Sequence, residues 1–520
     1  MRTTIWRSSE SLLAYIVVRF ILLGMPDDVA WWKIADKIYA DQWTRLTYSR
    51  DASNFQVHPS LVFIPEDMTD VINICQYAYE REIPLTPRGG GTGLLGQALT
   101  QGIVVDMSKH FNRIFEIGES YVTLEPGVVK TVLDKELKKK GRFLPPDPSS
   151  SNFCTIGGMI ANNSSGAHTL RYGSTIDYIE ELDVVYCDGS MSTIGSSIQL
   201  DYRCGSILPL VLTKLGLIAS SYPDTSKNSS GFRLDALVQS GSYFPQRIFA
   251  GAEGTLGIVT KTKLRTIEIP QFETLLVCEF LDLKSLLQSI PKILSFHPSA
   301  VELLGFGHLD SEKIQYNETE LTDFPTVYVE FCGESLTKLE LQVDRCKSAL
   351  QQRCISIEIL SDTNSCHAAW DERRNSLNKI LRIGDGNKKA IGIIEDTIVN
   401  PSLLEEFIPF VQRIYDRYRL DYVMYGHIGN GNIHTRPLID AQTNQAELVA
   451  DQLAREVFSK VKELRGSISA EHGDGLARSR YIKGMFGADI YRLFVQVKEI
   501  FDKKNIMNPG KKCCSPTSAT

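Results

Sequence analysis

The sequence contains no C-x-x-C pair, and its 11 cysteines stand singly apart from Cys513-Cys514. The cysteine spacings common in zinc ribbons and iron–sulfur centres are therefore missing. An odd number of scattered thiols fits a reducing compartment better than a disulfide framework. A positive charge excess is also lacking: 56 Lys and Arg against 62 Asp and Glu leave a net charge of −6, which argues against a dedicated nucleic-acid binder. No long uncharged apolar run occurs, so a polytopic membrane protein is ruled out. Leu12 to Met25 is mostly apolar and follows Arg2 and Arg7, but Arg19 interrupts it and no A-x-A-like cleavage site follows. The expectation is a cytoplasmic chain with no integral membrane span, at most peripheral to a membrane.

What is present is ordinary globular material, 43% hydrophobic and 23% charged over 520 residues, enough for two to four structural units. Residues 1–47 read as an N-terminal extension and helix. From Tyr48 to residue 270, helical and strand patterns alternate between glycine-rich turns. Asp67 and Thr69 can cap a helix with Val71, Ile72, Cys75 and Tyr79 at helical spacing. Ile103 to Met107 reads as a strand, Val128 to Lys140 as a helix, and Asp188-Gly189 as a hairpin turn. Over residues 271–467 the elements lengthen. Strand Leu275 to Phe280, helix Leu283 to Leu294, strand Thr326 to Phe331 and helix Lys338 to Gln351 suggest a ferredoxin-like α+β domain. Residues 468–510 read as a return to the first domain, and residues 511–520 as a disordered tail.

Three glycine loops carry the first chemistry. Gly91-Thr92-Gly93-Leu94-Leu95-Gly96 satisfies G-x-G-x-x-G, yet a strand at Ile103 follows where a dinucleotide-binding loop would open a helix. Arg88-Gly89-Gly90-Gly91-Thr92-Gly93 instead strings backbone N–H groups together with little side chain between them, which suits a nest around phosphate. Thr155-Ile156-Gly157-Gly158 can start a helix whose exposed amides meet a pyrophosphate. Gly251 to Gly257 forms a third turn.

These runs, in this order, resemble the FAD-binding domain of the vanillyl-alcohol oxidase and p-cresol methylhydroxylase superfamily. The C-terminal half is similar to the FAD-linked 2-hydroxy-acid dehydrogenases. The resemblance spans Tyr48 to Lys511. It implies a two-part FAD-binding domain of the p-cresol methylhydroxylase type plus the ferredoxin-like substrate domain, α+β overall. It also implies that Arg88, Gly89, Gly90, Gly91, Thr92 and Gly93 hold FAD, together with Thr155, Gly157, Gly158, Asn162, Ser165 and Gly166. Glu253, Gly254, Thr255, Gly257 and Ile258 would lie along the adenosine half, and Asn508 would return to the flavin. With no histidine between Arg88 and Gly96, the flavin is expected to be non-covalent.

A metal site can be drawn from spacing. Asn430-Gly431 is a preferred type I′ hairpin turn, and closing the ladder from it opposes His427 and His434 on one face, roughly 4.5–5.5 Å apart. Glu471 beside His472 adds a carboxylate, and a His-His-Glu set leaves metal positions open for substrate. Taken alone, the histidines could also be satisfied on a solvated hairpin. The resemblance places His427, His434 and Glu471 on metal ligands and His472 on the catalytic base. Zinc is the expected ion, with manganese or iron as alternatives. The same resemblance favours Arg373, on the Trp370 helix, as a clamp for a substrate carboxylate. Arg436 shares a face with His434 and could hold a carboxylate or form an ordinary salt bridge.

The implied reaction takes a D-2-hydroxy acid (D-lactate, D-2-hydroxyglutarate or glycolate type) to the 2-oxo acid. His472 would take the hydroxyl proton, and the Cα hydride would pass to flavin. Electrons would leave to an external acceptor: a quinone, a cytochrome or an electron-transfer protein. A homodimer is a compatible assembly. The competing readings are a non-redox FAD enzyme of the alkylglycerone-phosphate synthase type and a non-catalytic flavin electron-relay subunit.

Overall fold

Asp67 has extended backbone geometry, and its carboxylate accepts the Asp70 N–H at 3.0 Å, so helix Met68–Arg81 begins with a satisfied cap. Its buried stripe is Val71, Ile74, Cys75 and Ala78. That face is turned from the one spacing suggests, because Ile72 and Tyr79 lie at its half-buried edge. The stripe covers a sheet in which Leu61–Phe63, Ile103–Asp106 and Leu85–Arg88 run parallel, in that order, with Ile38–Tyr39 antiparallel at the edge. Ile103–Asp106 is buried throughout, as an uninterrupted apolar run in a parallel sheet requires. Because Ile38–Tyr39 pairs with Val62 and Phe63, the first unit begins ahead of Tyr48.

This computed structural model describes residues 35–308, 324–380, 388–390, 392, 394–440 and 446–513. The apolar stretch Leu12 to Met25 lies outside them.

A second sheet is antiparallel, ordered Ile114–Ile117, Tyr121–Leu124, Ile258–Arg265, Ile179–Val185, Met191–Gly195. Along Ile258–Arg265 buried and half-buried residues alternate, so one face packs inward. The turn after Ile179–Val185 closes at Gly189, whose φ of 79° suits the hairpin expected there.

The third sheet has seven strands. Phe272–Phe280, Ala300–His308, Thr326–Gly333 and Cys354–Leu360 stand in the order fourth, first, third, second, all antiparallel. Helices Leu283–Leu294 and Leu336–Leu350 connect the first to the second strand and the third to the fourth. This is the ferredoxin-like arrangement. Tyr422–Gly426, His434–Asp440 and Lys388–Ala390 extend it beyond Ala300–His308, an extension that the repeating strand–helix pattern does not announce.

After helix Ile482–Phe501 the chain returns to the first sheet. Leu85 N–H donates to Ile506 O, and Asn508 N–H donates back to Leu85 O, each at 2.7 Å. Residues 511–513, expected as part of a disordered tail, are ordered and buried. Lys511 and Lys512 are buried, and Lys512 Nζ lies 2.7 Å from Asp474 and 3.1 Å from Glu253. A short basic run looks solvated in sequence, but here internal carboxylates compensate its charge. Residues 514–520 lie outside the described residues. No single helix among the described residues is long and apolar enough to cross a membrane.

Candidate active site

A cavity of about 890 Å³ runs from the Arg88–Leu94 loop past Thr155–Ala167 and Glu253–Val259 to the seven-stranded sheet. The first wall is backbone. A Cβ on Gly89 would lie 2.2 Å from Thr155 Oγ1, and one on Gly90 would lie 2.2 Å from the carbonyl oxygen of Phe153. Only glycine permits loops to approach this closely. Among the described residues, no intramolecular acceptor meets the N–H groups of Gly90, Gly91, Thr92 or Gly93. Four consecutive amides left for a ligand fit an anionic pyrophosphate.

The second glycine site differs from expectation. Gly157 N–H donates to Pro126 O at 2.7 Å, and Gly158 N–H to Thr155 Oγ1 at 3.3 Å. The amides expected to face a pyrophosphate are therefore already bonded within the chain. Thr155, Gly157, Gly158, Asn162, Ser165 and Gly166 still line the cavity, as do Glu253, Gly254, Gly257 and Ile258. Thr255 and Asn508 do not. Thr255 donates its hydroxyl to Ala252 O, while Asn508 Nδ2 donates to Gln97 O and Glu253 O. Both brace the loops from behind.

At the far end stand three histidines and a carboxylate. The expected two-residue hairpin is not formed: Tyr425, not His427, opposes His434, and Ile428–Asn430 makes a 3₁₀ turn. Tertiary contacts override the local turn preference. Gly431 has φ 79° and lies so close to Val399 O that a Cβ would fall 1.9 Å away, while Asn430 Nδ2 donates to Ser226 Oγ at 2.8 Å. The longer loop still brings the rings of His427 and His434 to 5.4 Å, and His472 stacks on His434 at 5.1 Å with planes 10° apart.

All three rings point the same nitrogen inward. The Nε2 atoms of His427, His434 and His472 lie 2.9, 3.5 and 3.9 Å from Glu471 Oε1. Their Nδ1 atoms meet acceptors behind: Glu302 for His427, Glu395 O at 2.9 Å for His434, and Glu395 Oε1 at 3.1 Å for His472. Outer acceptors of this kind orient metal-binding imidazoles. Glu471 Oε2 is held by Ser165 Oγ at 2.7 Å and Lys227 Nζ at 2.9 Å, leaving Oε1 to the histidines.

His427, His434 and Glu471 bring one ligand atom each within 4.8 Å of one another. Asp396, His434 and His472 form a second such group, but Asp396 Oδ2 is already occupied by Ser469 Oγ and the N–H groups of Glu471 and His472. The first group therefore fits a cation better. Burial pushes the His427 pKa down, but Glu302 and then Glu471 outweigh it and raise it to about 9. The two carboxylates that favour this proton would equally favour a divalent ion in its place.

Arg373 and Arg436 also line this end. Arg373 pairs through Nη2 with Glu302 Oε2 at 2.8 Å, so the carboxylate behind His427 also fixes the guanidinium. Against burial, His427 and then Arg373 hold the Glu302 pKa at about 2. Arg436 donates its Nε–H to Tyr425 Oη at 3.0 Å. The expected apolar stripe through Leu377, Ile380 and Leu381 falls on side chains outside the described residues.

A half-buried cluster links the walls. His168 meets Asp147 at 2.6 Å and Glu330 at 3.0 Å, while Trp370 Nε1 donates to Glu330 at 2.7 Å. It ties the loop at Asp147 to helix Thr363–Ile380, which carries Arg373. Sequence reasoning missed Glu302, Glu395, Asp396, Lys227 and His168. Two signals were available: a lone acid inside the apolar run Ala300-Val301-Glu302-Leu303-Leu304, and the acid pair directly after Ile391-Gly392-Ile393-Ile394. A carboxylate in such a run must be paired if buried.

Two family models match the chain: an FAD binding domain over residues 59–195 and the FAD linked oxidases' C-terminal domain over residues 269–512. The sequence is 31% identical to D-2-hydroxyglutarate dehydrogenase of Escherichia coli (strain K12), an alignment covering 91% of this chain and 50% of that protein. The chain thus spans about half the length of the D-2-hydroxyglutarate dehydrogenases it matches. It is 27% identical to a glycolate oxidase subunit of Bacillus subtilis (strain 168), with 90% and 92% covered. In fold it is similar to 4-ethylphenol oxidase from Gulosibacter chungangensis, with a TM-score of 0.69, 17% identity and 98% of each chain covered. An alkyldihydroxyacetonephosphate synthase aligns with a TM-score of 0.63 at 16% identity, covering 98% of this chain and 87% of that one. The backbone-walled cavity and the sheet that closes it are thus those of a known architecture: the chain belongs to the FAD-linked oxidases.

Proposed function

We propose that the chain oxidises a D-2-hydroxy acid to the 2-oxo acid, using FAD and a divalent metal ion. The observation that carries this reading is the convergence of three imidazole Nε2 atoms on Glu471 Oε1, at the end of a glycine-walled cavity that also takes in Arg373 and Arg436. A clamp for a carboxylate, a ligand set and a proton acceptor stand together. That is what abstraction of a hydroxyl proton beside a carboxylate needs.

Arg88 to Gly93, with Glu253 to Ile258, would hold FAD non-covalently, and His427, His434 and Glu471 would hold the ion, zinc being our assignment. When bound, the flavin would supply the hydride acceptor and the ion Lewis acidity at the hydroxyl. Arg373, fixed by Glu302, would receive the substrate carboxylate in a forked pair. His472 would accept the hydroxyl proton at Nε2 while Glu395 holds the other side of its ring. Arg436 would face the substrate's side chain or its carboxylate. Electrons would then leave to an external acceptor: a quinone, a cytochrome or an electron-transfer protein. A homodimer is part of the proposal.

The deciding test is the anaerobic visible spectrum of the metal-loaded protein as D-lactate, D-2-hydroxyglutarate and glycolate are added separately. Bleaching of bound flavin by one acid, and not by its L-enantiomer where one exists, is expected. A bound flavin left unchanged by a broad panel of D-2-hydroxy acids would defeat the reading and favour a non-redox flavin enzyme.

A further inference from the structure

Glu395 has no part in the ligand set, yet it touches two of the three histidines by different chemistry. Its backbone carbonyl accepts from His434 Nδ1 at 2.9 Å, and its side-chain Oε1 meets His472 Nδ1 at 3.1 Å. The other oxygen, Oε2, accepts from Arg478 Nη2 at 2.8 Å, and both residues of that pair are fully buried. Asp396 Oδ2 stands 4.0 Å from His472 Nδ1, beyond hydrogen-bond reach, so Glu395 is the acceptor that His472 Nδ1 meets.

A carbonyl or carboxylate oxygen can only accept. In the neutral ring each Nδ1 must therefore carry the hydrogen, which leaves the Nε2 lone pairs facing Glu471 Oε1 and the cavity. We propose that Glu395 is a positioning residue that fixes the tautomer of both rings, His434 through its backbone and His472 through its side chain. The inference rests on the reading of His472 as the proton acceptor, and it separates two functions within one residue. Side-chain replacement at position 395 removes the hold on His472 and keeps the hold on His434.

The two obvious variants then differ in an unusual order. Glu395→Ala leaves the His472 ring free to adopt either tautomer. Glu395→Gln is nearly the same shape but has one oxygen for two donors. The charged Arg478 takes that oxygen, as the stronger donor. The amide NH₂ then faces His472 Nδ1 and drives the ring hydrogen to Nε2, the nitrogen that must accept. An amide in place of the orienting carboxylate costs a Ser-His-Asp enzyme about 10⁴-fold by this route.

The experiment uses the full chain loaded with flavin and zinc, and a D-2-hydroxy acid that bleaches the wild type. Anaerobic reduction rates are measured for Glu395→Gln, Glu395→Ala, His472→Ala and the Glu395→Gln/His472→Ala double variant. Bound metal and flavin are measured for each, with ring-nitrogen NMR of histidine-labelled protein. The expected result is a reduction rate at least about 10²-fold lower in the Gln variant. Alanine should lose less, and the Gln substitution should cost nothing further once His472 is gone. Metal and flavin contents should be unchanged, and the His472 resonances should move from the Nδ1–H to the Nε2–H pattern in the Gln variant.

A Gln variant as active as the Ala variant would overturn the proposal. So would a loss that persists in the His472→Ala background, or metal lost in step with rate. If alanine fails to fold because Arg478 loses a partner, the near-isosteric Gln variant and its NMR pattern still decide. If His472→Ala reduces flavin normally, the base assignment is what fails. The ring resonances then judge the positioning separately: a shift in the Gln variant keeps it, and unchanged resonances sink it.

Discussion

The two ends of the cavity are built from opposite materials. At the Arg88–Gly93 end the wall is backbone, and recognition is left to amides with no partner among the described residues. At the Glu471 end nearly every contact is a side chain, and each imidazole has an acceptor behind it, Glu395 serving two of the three. A backbone wall tolerates little added bulk, and its loops are braced from behind by Thr255 and Asn508. A side-chain cluster is spatially forgiving, yet each member depends on the residue behind it. The two ends should therefore fail in different ways, and substitutions can separate them.

The largest effect is expected at the side-chain end. His472→Ala should slow anaerobic flavin reduction by about 10²–10⁴-fold with flavin still bound; a near-normal stopped-flow trace would remove it from the base role. Next, Glu302→Gln takes the charge from behind His427 and Arg373 together. Metal affinity should fall about 10–100-fold, read by competition with a chelator, while flavin content stays constant. At the backbone end the pattern reverses. Gly90→Ala places a Cβ against a carbonyl oxygen that cannot move aside, and flavin retention should weaken by about 1–3 kcal/mol with metal content unaffected. Equal loss of metal and flavin in that variant would break the contrast between the two ends.

The cluster joining the two ends should act on stability, with metal and flavin contents unchanged. His168→Gln should cost about 1–3 kcal/mol in denaturant unfolding near neutral pH. Burial works against the charged ring of His168, but Glu330 and then Asp147 raise its pKa well above the ordinary imidazole value. The stability it contributes is therefore complete below that ordinary value and is lost as pH rises through the folded one. The gap between wild type and variant should narrow at alkaline pH. Glu330 is shifted in the opposite sense: burial raises its pKa, but His168 and its hydrogen bonds leave it lowered. Its share is accordingly lost on the acid side.

Legibility in the sequence divides along the same line. Glycine runs and helix caps are local statements, so the Arg88–Gly93 wall and helix Met68–Arg81 could be read directly. His427, His434, Glu471 and His472 were legible as residue types, but the hairpin inferred from Asn430-Gly431 was wrong in register. Its geometry is set by Val399, Ser226 and Val301, none of them near in sequence. The supporting acids Glu302 and Glu395 were missed for the same reason. A buried carboxylate is explained by its partner, and the partners of these two, His427, Arg373, His472 and Arg478, come from other segments. Lys511 and Lys512 misled in the other direction, since charge alone suggested solvent.

The return of the chain to its first sheet also bears on the order of biosynthesis. Thr86 and Asn508 share a hydrogen bond across 422 positions, and Lys512 settles between Glu253 and Asp474 under the glycine loops. Every residue that lines the cavity, His472 being the last of them, is synthesised before the residues at 508–512 that brace it. The nascent chain therefore cannot seat its flavin on a finished scaffold while residues near 510 are still in the exit tunnel. A cofactor that depends on this brace would be held in its final site only once that segment has emerged and packed.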